Sequence, residues 1–303
     1  MEAAITLGTR GSPLALVQAR QVAAALERAH GWAAGTVVIR TVKTSGDRIQ
    51  DRPLADIGGK ALWTKELDLA LLAGETHFSV HSMKDVESER PEALAIAAMM
   101  ERVDVRDRLI GATGVDDLPD GARVGTSSPR RRAQLLSRRP DLRVEPIRGN
   151  VETRLNKIAA GQVDATLLAA AGLDRLGIEA GHAVPIDVMM PAPGQAAIGI
   201  ECRAGDERTK ALLAAIDHRA THRAVAMERA FARALGGSCH SPVAALGRVE
   251  GDAVELRAEL LSEDGSARVG DRRMLRSEDE AAAFALELLA AAPDSIRALF
   301  SPA

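Results

Sequence analysis

The chain opens on an apolar run, Ile5-Thr6-Leu7, that breaks at Gly8 and Gly11 and resumes as Ala15, Ala19, Val22, Leu26 and Ala29. The run predicts a strand and the second series an amphipathic helix, because side chains three and four residues apart share one helix face. Ser12 stands at the N-cap, Pro13 at the first helical position and Gly31 past the end, so both helix boundaries are marked. The order returns in mid-chain, where Arg123-Val124-Gly125-Thr126 leads through Ser127-Ser128-Pro129 into another helical stretch. A second match pairs Ala73-Gly74-Glu75 before Phe78-Ser79-Val80 with Ala160-Gly161-Gln162 before Ala165-Thr166-Leu167-Leu168. Two like α/β units are therefore predicted. They differ mainly by residues 45–60, SGDRIQDRPLADIGGK, whose glycines, charges and turn formers predict a long mobile loop of the kind used as a lid.

Beyond Pro191-Ala192-Pro193-Gly194-Gln195 the pattern predicts a strand from Ala197 to Cys202 and a helix from about Thr221 to Leu235, closed by Gly236-Gly237. Residues 253–260 then alternate apolar and polar, Glu263-Asp264-Gly265 turns the chain, and an Ala-rich helix follows, which together read as a small α+β module. Two α/β units with a cleft between them and a separate C-terminal module make a ligand-binding layout.

Composition narrows the options. At 303 residues there is room for two or three domains, and 46% hydrophobic with 2% aromatic residues and no tyrosine calls for an aliphatic core. Net charge is only −3, although 33 of the 39 cationic residues are Arg. A nucleic-acid binder would show a basic domain with stacking aromatics, and both are missing. No apolar run approaches the roughly 18 residues of a membrane span, and the N-terminus lacks the regions of a signal peptide, so a cytoplasmic protein is expected. Two cysteines, Cys202 and Cys239, are too few for a disulfide framework and are not spaced as metal ligands; no metal is expected.

Two strand ends deliver Thr9, Arg10 and Ser12, and Thr126, Ser127, Ser128, Arg130 and Arg131, to helix N-termini, where free N–H groups and the helix dipole favour anions. Capping alone would explain either loop; two in matching positions point to an anionic ligand. Further guanidinium groups fall at Arg148 in Arg148-Gly149-Asn150, at Arg154 one helical turn later and at Arg175. Clustered Arg suits carboxylates held bidentately. His81-Ser82-Met83-Lys84-Asp85 follows a strand at its carboxyl end, where open α/β sheets bind ligands, with Asp85 the candidate carboxylate and His81 read as structural. Cys202 lies inside an apolar strand and reads as a buried thiol, whereas Cys239, in Gly236-Gly237-Ser238-Cys239-His240, lies on a loop that exposes sulfur. A non-enzymatic anion-binding module and a thiol hydrolase using Cys239 and His240 stay open at this point. The first would call for a signal peptide or DNA-binding segment, the second for a third orienting group.

The segments TRGSPLAL, GGKALWTKELDLALL, VHSMKDV, VGTSSPRRRAQL, RGNVETRL and GGSCHSPV, in this order from near residue 5 to at least residue 245, resemble the porphobilinogen deaminase (hydroxymethylbilane synthase) family. The resemblance implies an α/β fold of two type II periplasmic-binding-protein-like domains with a cleft between them, plus a small α+β C-terminal domain. The expected boundaries are 1–98 with 195–217, then 99–194, then 218–303. It further implies a dipyrromethane primer, self-assembled from porphobilinogen and thioether-linked to Cys239. Four porphobilinogens would each lose ammonia to give an azafulvene attacked by the growing chain, and hydrolysis would release hydroxymethylbilane. Carried over by position, Asp85 is the catalytic carboxylate. Ser82, Lys84, Thr126, Ser128, Arg130, Arg131, Arg148 and Gly149 would hold the primer. Arg10, Ser12, Arg154, Arg175, Lys60 in the lid and Gln195 at the hinge would serve substrate and elongating chain. A monomer is expected, with porphobilinogen as small-molecule partner, a downstream tetrapyrrole-cyclising enzyme taking the product, and no nucleic-acid or membrane partner. The chain departs from the family pattern at Gly194-Gln195-Ala196, where GQG is usual, at Pro193 nearby, at Glu87, where proline usually follows KDV, at Asp56 before GGK, where lysine is frequent, and at Trp63, commonly Phe.

Overall fold

The N-terminal apolar run forms β1 (Ile5–Arg10) and the spaced stripe forms α1 (Pro13–His30). Ser12 Oγ accepts from Ala15 N at 3.3 Å, and Gly31, at φ 66°, turns the chain out of the helix in the left-handed region. This computed structural model describes residues 5–44, 64–236 and 241–301. They fall into two compact units, Met1–Arg102 with Ala197–His222, and Val103–Ala196 with Arg223–Ala303.

In the first unit β2 (Val37–Val42), β1, β3 (Phe78–Ser82), β10 (Ile198–Arg203) and β4 (Leu94–Met99) lie in that order in one sheet. The first three are mutually parallel, and β10 runs antiparallel to both its neighbours. The second unit repeats the plan with β7 (Arg143–Glu145), β6 (Arg123–Gly125), β8 (Ala165–Ala169), β5 (Asp107–Ile110) and β9 (His182–Ala183), where β5 is the antiparallel member. The two matched sequence patterns are thus two like sheets. Parallel neighbours need a crossover, which α1 and α3 (Pro129–Arg138) provide after β1 and β6. β3 is buried along most of its length, as a central strand covered on both faces must be.

The predicted C-terminal module is a sheet of β11 (Val243–Glu250), β12 (Ala253–Leu261) and β13 (Arg268–Leu275), all antiparallel, packed with α7 (Arg219–Ala234) and α8 (Glu278–Ala290). Each sheet has its own core. The first is mostly aliphatic around Leu7, Leu26 and Ile200 with Phe78 on β3, and the second is aliphatic around Leu109, Val124 and Leu167. The third adds the tilted pair Phe231 and Phe284, whose rings are 5.4 Å apart.

One buried carboxylate ties the third sheet to the segment that leaves the second. Glu228 on α7 accepts from Gly194 N and from Gly247 N, each at 2.7 Å. Just beyond, Ala196 has φ 71°, the one non-glycine in the left-handed region among the described residues. No helix of the described residues is long and apolar enough to cross a membrane.

Candidate functional site

In the first unit the ends of two strands and the start of a helix converge. β1 ends at Arg10 just before the N-terminus of α1, and β3 ends at Ser82 and tightens into a 3-10 turn, Met83–Asp85. Between them and Thr64 lies a pocket of about 60 Å³ lined by Arg10, Ser12, Gln18, Ser82 and Asp85 among others. Gln18 Nε2 donates to Ser82 Oγ at 2.9 Å and pins the strand end against α1. Asp85 is half-buried and makes no side-chain hydrogen bond among the described residues. Its carboxylate can accept N–H groups or oppose a positive charge that develops beside it. Lys84, next to it, is also half-buried.

His81 is buried, with Nε2 3.2 Å from Glu201 Oε2 across the sheet, a structural partnership rather than a free base. Burial alone would raise the Glu201 carboxyl, but His81 and Arg90 outweigh it and hold it at about 2.

In the second unit β6 ends at Gly125, Thr126 N donates to Glu145 O, and Ser128 caps α3 by accepting from Arg131 N at 3.4 Å. The two following arginines point inward, not to solvent. Arg130 Nη2 donates to Asp107 Oδ2 at 2.8 Å and Arg131 Nη2 to Asp107 Oδ1 at 2.7 Å, and all three residues are buried. Burial would raise the Asp107 carboxyl, yet Arg131 and Arg130 hold it well below its ordinary range. Burial in turn lowers Arg130, and Asp107 only partly offsets this. Arg130 Nε is buried and without a hydrogen-bond partner among the described residues.

Gln195 joins this cluster through Nε2, which donates to Val105 O at 2.7 Å and to Asp107 Oδ1 at 2.9 Å. Arg175 Nη2 donates to Ala196 O at 2.7 Å, and burial lowers its guanidinium to about 10. Gly149 has φ 115°, and a Cβ there would meet Thr153 at 2.5 Å, so the turn between Arg148 and α4 (Val151–Ala159) requires glycine. Arg154 Nε donates to Gly149 O at 3.0 Å, and Asn150 caps α4 by accepting from Thr153 N at 2.9 Å.

The structure therefore brings Arg10, Ser12, Ser82 and Asp85 to one pocket. It gathers Thr126, Ser128, Arg130 and Arg131 at one helix start, and it bonds Arg154 to Gly149 beside Arg148. Gln195 bonds Val105 and Asp107, and Arg175 bonds Ala196 O, so neither lines the pocket beside Asp85. Lys60, Trp63, Asp56 and Cys239 lie outside the described residues. Cys202 is fully buried on β10, and burial pushes its thiol up to about 11, which suits an inert core residue. Among the described residues no group of three or more His, Cys, Asp or Glu could hold a metal ion.

Sequence reasoning missed Asp107, Glu201 and Arg90. Glu201 left a signal, since it is the one charged residue between Ala197 and Cys202 in an otherwise apolar strand. Asp107 left none, because in Val103-Asp104-Val105-Arg106-Asp107-Arg108 it looks like any member of a solvated charged run.

Residues 5–211 match the family model for the porphobilinogen deaminase dipyromethane cofactor binding domain, and residues 222–292 match that for the porphobilinogen deaminase C-terminal domain. The porphobilinogen deaminase of Sphingopyxis alaskensis is 54% identical over 98% of this chain and 96% of its own. That of Paracoccus denitrificans is 50% identical over 92% of this chain and 90% of its own. Among solved structures, the periplasmic VFT2 domain of Bordetella pertussis BvgS has a TM-score of 0.42 at 18% identity, covering 74% of this chain and 91% of that one, a likeness too low to add to the argument. Sequence matches spanning nearly the whole chain, on a fold that carries the expected repeated α/β units and small C-terminal sheet, place it: the chain belongs to the porphobilinogen deaminase family.

Proposed function

We infer that the chain performs its family's reaction, condensing four porphobilinogens with loss of ammonia on a dipyrromethane primer and releasing hydroxymethylbilane. The observation that supports this most is the half-buried Asp85 in its pocket at the end of β3, with no hydrogen-bond partner among the described residues. A carboxylate so placed is free to accept pyrrole N–H groups and to oppose the cation that develops as ammonia departs. Ser12 at the head of α1 and Arg10 at the end of β1 are the groups beside it suited to a substrate carboxylate.

Every pyrrole of the primer carries carboxylates, and the primer supplies the nucleophilic carbon at which the chain grows. The second unit offers matching donors. Two helix starts, those of α3 and α4, carry backbone N–H groups beside Ser128 and Arg148, and Arg130 keeps a buried N–H without a partner among the described residues. Thr126, Ser128, Arg130, Arg131, Arg148 and Gly149, with Ser82 and Lys84 of the first unit, are proposed to hold the primer; Arg154, Arg175 and Lys60 are proposed to bind the lengthening polyanion. Gln195, fully engaged on Val105 and Asp107, is proposed to hold the segment at 194–196 and not to touch substrate. Attachment is assigned to Cys239, since the only other cysteine, Cys202, is buried with a raised thiol pKa. We retain the three-domain boundaries, the monomer, the cytoplasmic setting and transfer of product to a tetrapyrrole-cyclising enzyme as parts of the same proposal.

Two measurements test it. Intact mass of the purified protein should exceed the chain by two condensed pyrrole units, mapped to the peptide holding Cys239; an unmodified but fully active protein overturns the primer assignment. Asp85→Asn should fold and lose about 10² to 10³ in turnover, the usual cost of one preorganised electrostatic partner. Turnover within a few-fold of the parent would make Asp85 structural.

A further inference from the structure

One heavily bonded cation of the first unit is one that the proposed reaction does not use. Arg90 lies five residues beyond Asp85, with its side chain 9% exposed. Its Nε and Nη2 donate to Glu201 Oε1 and Oε2 at 2.8 and 2.9 Å. Nη2 also reaches Asp68 Oδ1 at 2.5 Å, and Nη1 reaches Glu87 Oε2 at 3.0 Å and Thr64 Oγ1 at 3.2 Å. A guanidinium has five N–H groups, and these contacts account for five.

The acceptors are what matters. Thr64 lines the Asp85 pocket and also donates to Glu87 at 3.0 Å. Asp68 lies one turn into α2 (Lys65–Leu72). Glu87 is two residues past Asp85, so it anchors the exit of the turn that carries the carboxylate. Glu201, on β10, contacts His81, another pocket-lining residue, one position before Ser82. One planar group thus spans the segment after Asp85, the start of α2 and the strand beside β3.

We propose that Arg90 is a positioning residue for Asp85, fixing both walls of its pocket through Thr64, Glu87 and Glu201. The proposal rests on the catalytic role inferred for Asp85. Lysine, a point charge with three donors on a flexible stem, cannot reproduce a fork that bonds four side chains. Without the fork the carboxylates of Glu87, Asp68 and Glu201 repel one another, and the turn bearing Asp85 loses its anchor. Displacements of about 1 Å at a reacting group cost up to roughly 10²-fold in rate.

The test is steady-state turnover of Arg90→Lys, with primer loading checked by intact mass and folding by circular dichroism. The expected result is a folded, primer-loaded enzyme whose kcat falls by about tenfold or more while KM moves less than about threefold. A kcat within about threefold of the parent overturns the proposal, as does a loss that only follows the unfolded fraction. Should Arg90→Lys not fold, Arg90→Met with Asp68→Asn and Glu201→Gln removes the cation together with two of its three anions, and the same kcat criteria apply to it. Adding Arg90→Lys to Asp85→Glu supplies the coupling. An arginine acting through Asp85 costs less there, because the carboxylate is already displaced, whereas an undiminished loss places its action elsewhere and overturns the proposal. Asp85→Asn alone, if near parental turnover, removes the catalytic reading itself and is thereby told apart from a failure of Arg90.

Discussion

In the first unit one largely enclosed guanidinium, Arg90, stands among the carboxylates of Glu201, Asp68 and Glu87, whereas in the second one buried carboxylate, Asp107, stands between the guanidiniums of Arg130 and Arg131. Both clusters are held on sheets of the same strand order. The inversion shows that the repeated fold does not choose the sign of its buried charge; a few side chains do. Carboxylates outnumber the guanidinium in the Arg90 cluster, whereas guanidiniums outnumber the carboxylate at the head of α3, which suits an anionic ligand.

The largest break in that comparison should come from Asp107→Asn. It leaves two buried guanidiniums without their counterion, and uncoupling a buried pair costs about 3–5 kcal/mol. Urea unfolding followed by circular dichroism should show the loss; a change below about 1 kcal/mol would mean that water or other groups already compensate. The acid side carries a second signature. The Asp107 carboxyl sits below its ordinary value of 3.8, so its contribution is present above that pH and is lost as pH falls through the lower folded value. Asp107→Asn should therefore flatten the decline of stability below about pH 4.

Asp68→Asn sharpens the contrast. Burial raises the Asp68 carboxyl, Arg90 only partly offsets this, and Glu201 adds to the rise. A raised carboxyl contributes most below its unfolded value and loses that contribution as pH climbs through the folded one, so the ionised group is held at a cost at neutral pH. Asparagine removes that cost together with the Arg90 contact, and stability at pH 7 should change by no more than about 1 kcal/mol. A loss as large as that of Asp107→Asn would show that the two clusters are energetically alike.

The smallest effect is expected at Ala196. A side chain in the left-handed region costs about 1–2 kcal/mol, and glycine returns part of this as about 0.4–1 kcal/mol of extra unfolded-chain entropy. Ala196→Gly should raise the thermal midpoint slightly. A lower midpoint would mean that the Ala196 methyl, buried in place, contributes more packing than the backbone loses.

Much of the fold was legible because its signals are local. Ser12, Pro13 and Gly31 bound α1 as their positions along the chain indicate, and Ser128 and Pro129 begin α3 in the same way. The strand expected at Ala197–Cys202 appears at Ile198–Arg203, and the helix expected from Thr221 to Leu235 at Arg219–Ala234. Asp85 was legible as a candidate because it follows an apolar strand at its carboxyl end, a relation of a few residues. The fate of Arg130 and Arg131 was not. Pro129-Arg130-Arg131-Arg132 reads as a uniformly basic helix start, yet Arg132 stays exposed and reaches Val144 O while its two neighbours turn inward.

Caps, turns and the periodicity of apolar positions depend on residues within about one helical turn of each other, so the sequence by itself determined the element boundaries, the repeated α/β units and the order of the motifs. Which charges are buried depends on partners far along the chain. Arg131 meets Asp107 at a separation of 24 residues, and Arg90 meets Glu201 at 111. A charge leaves water only where an opposite charge and matching donors already wait, and that coincidence exists only once β5 lies beside β8 and β10 beside β3. The tertiary structure therefore decided which arginines became pillars of the fold and which carboxylate kept its lone pairs unclaimed among the described residues.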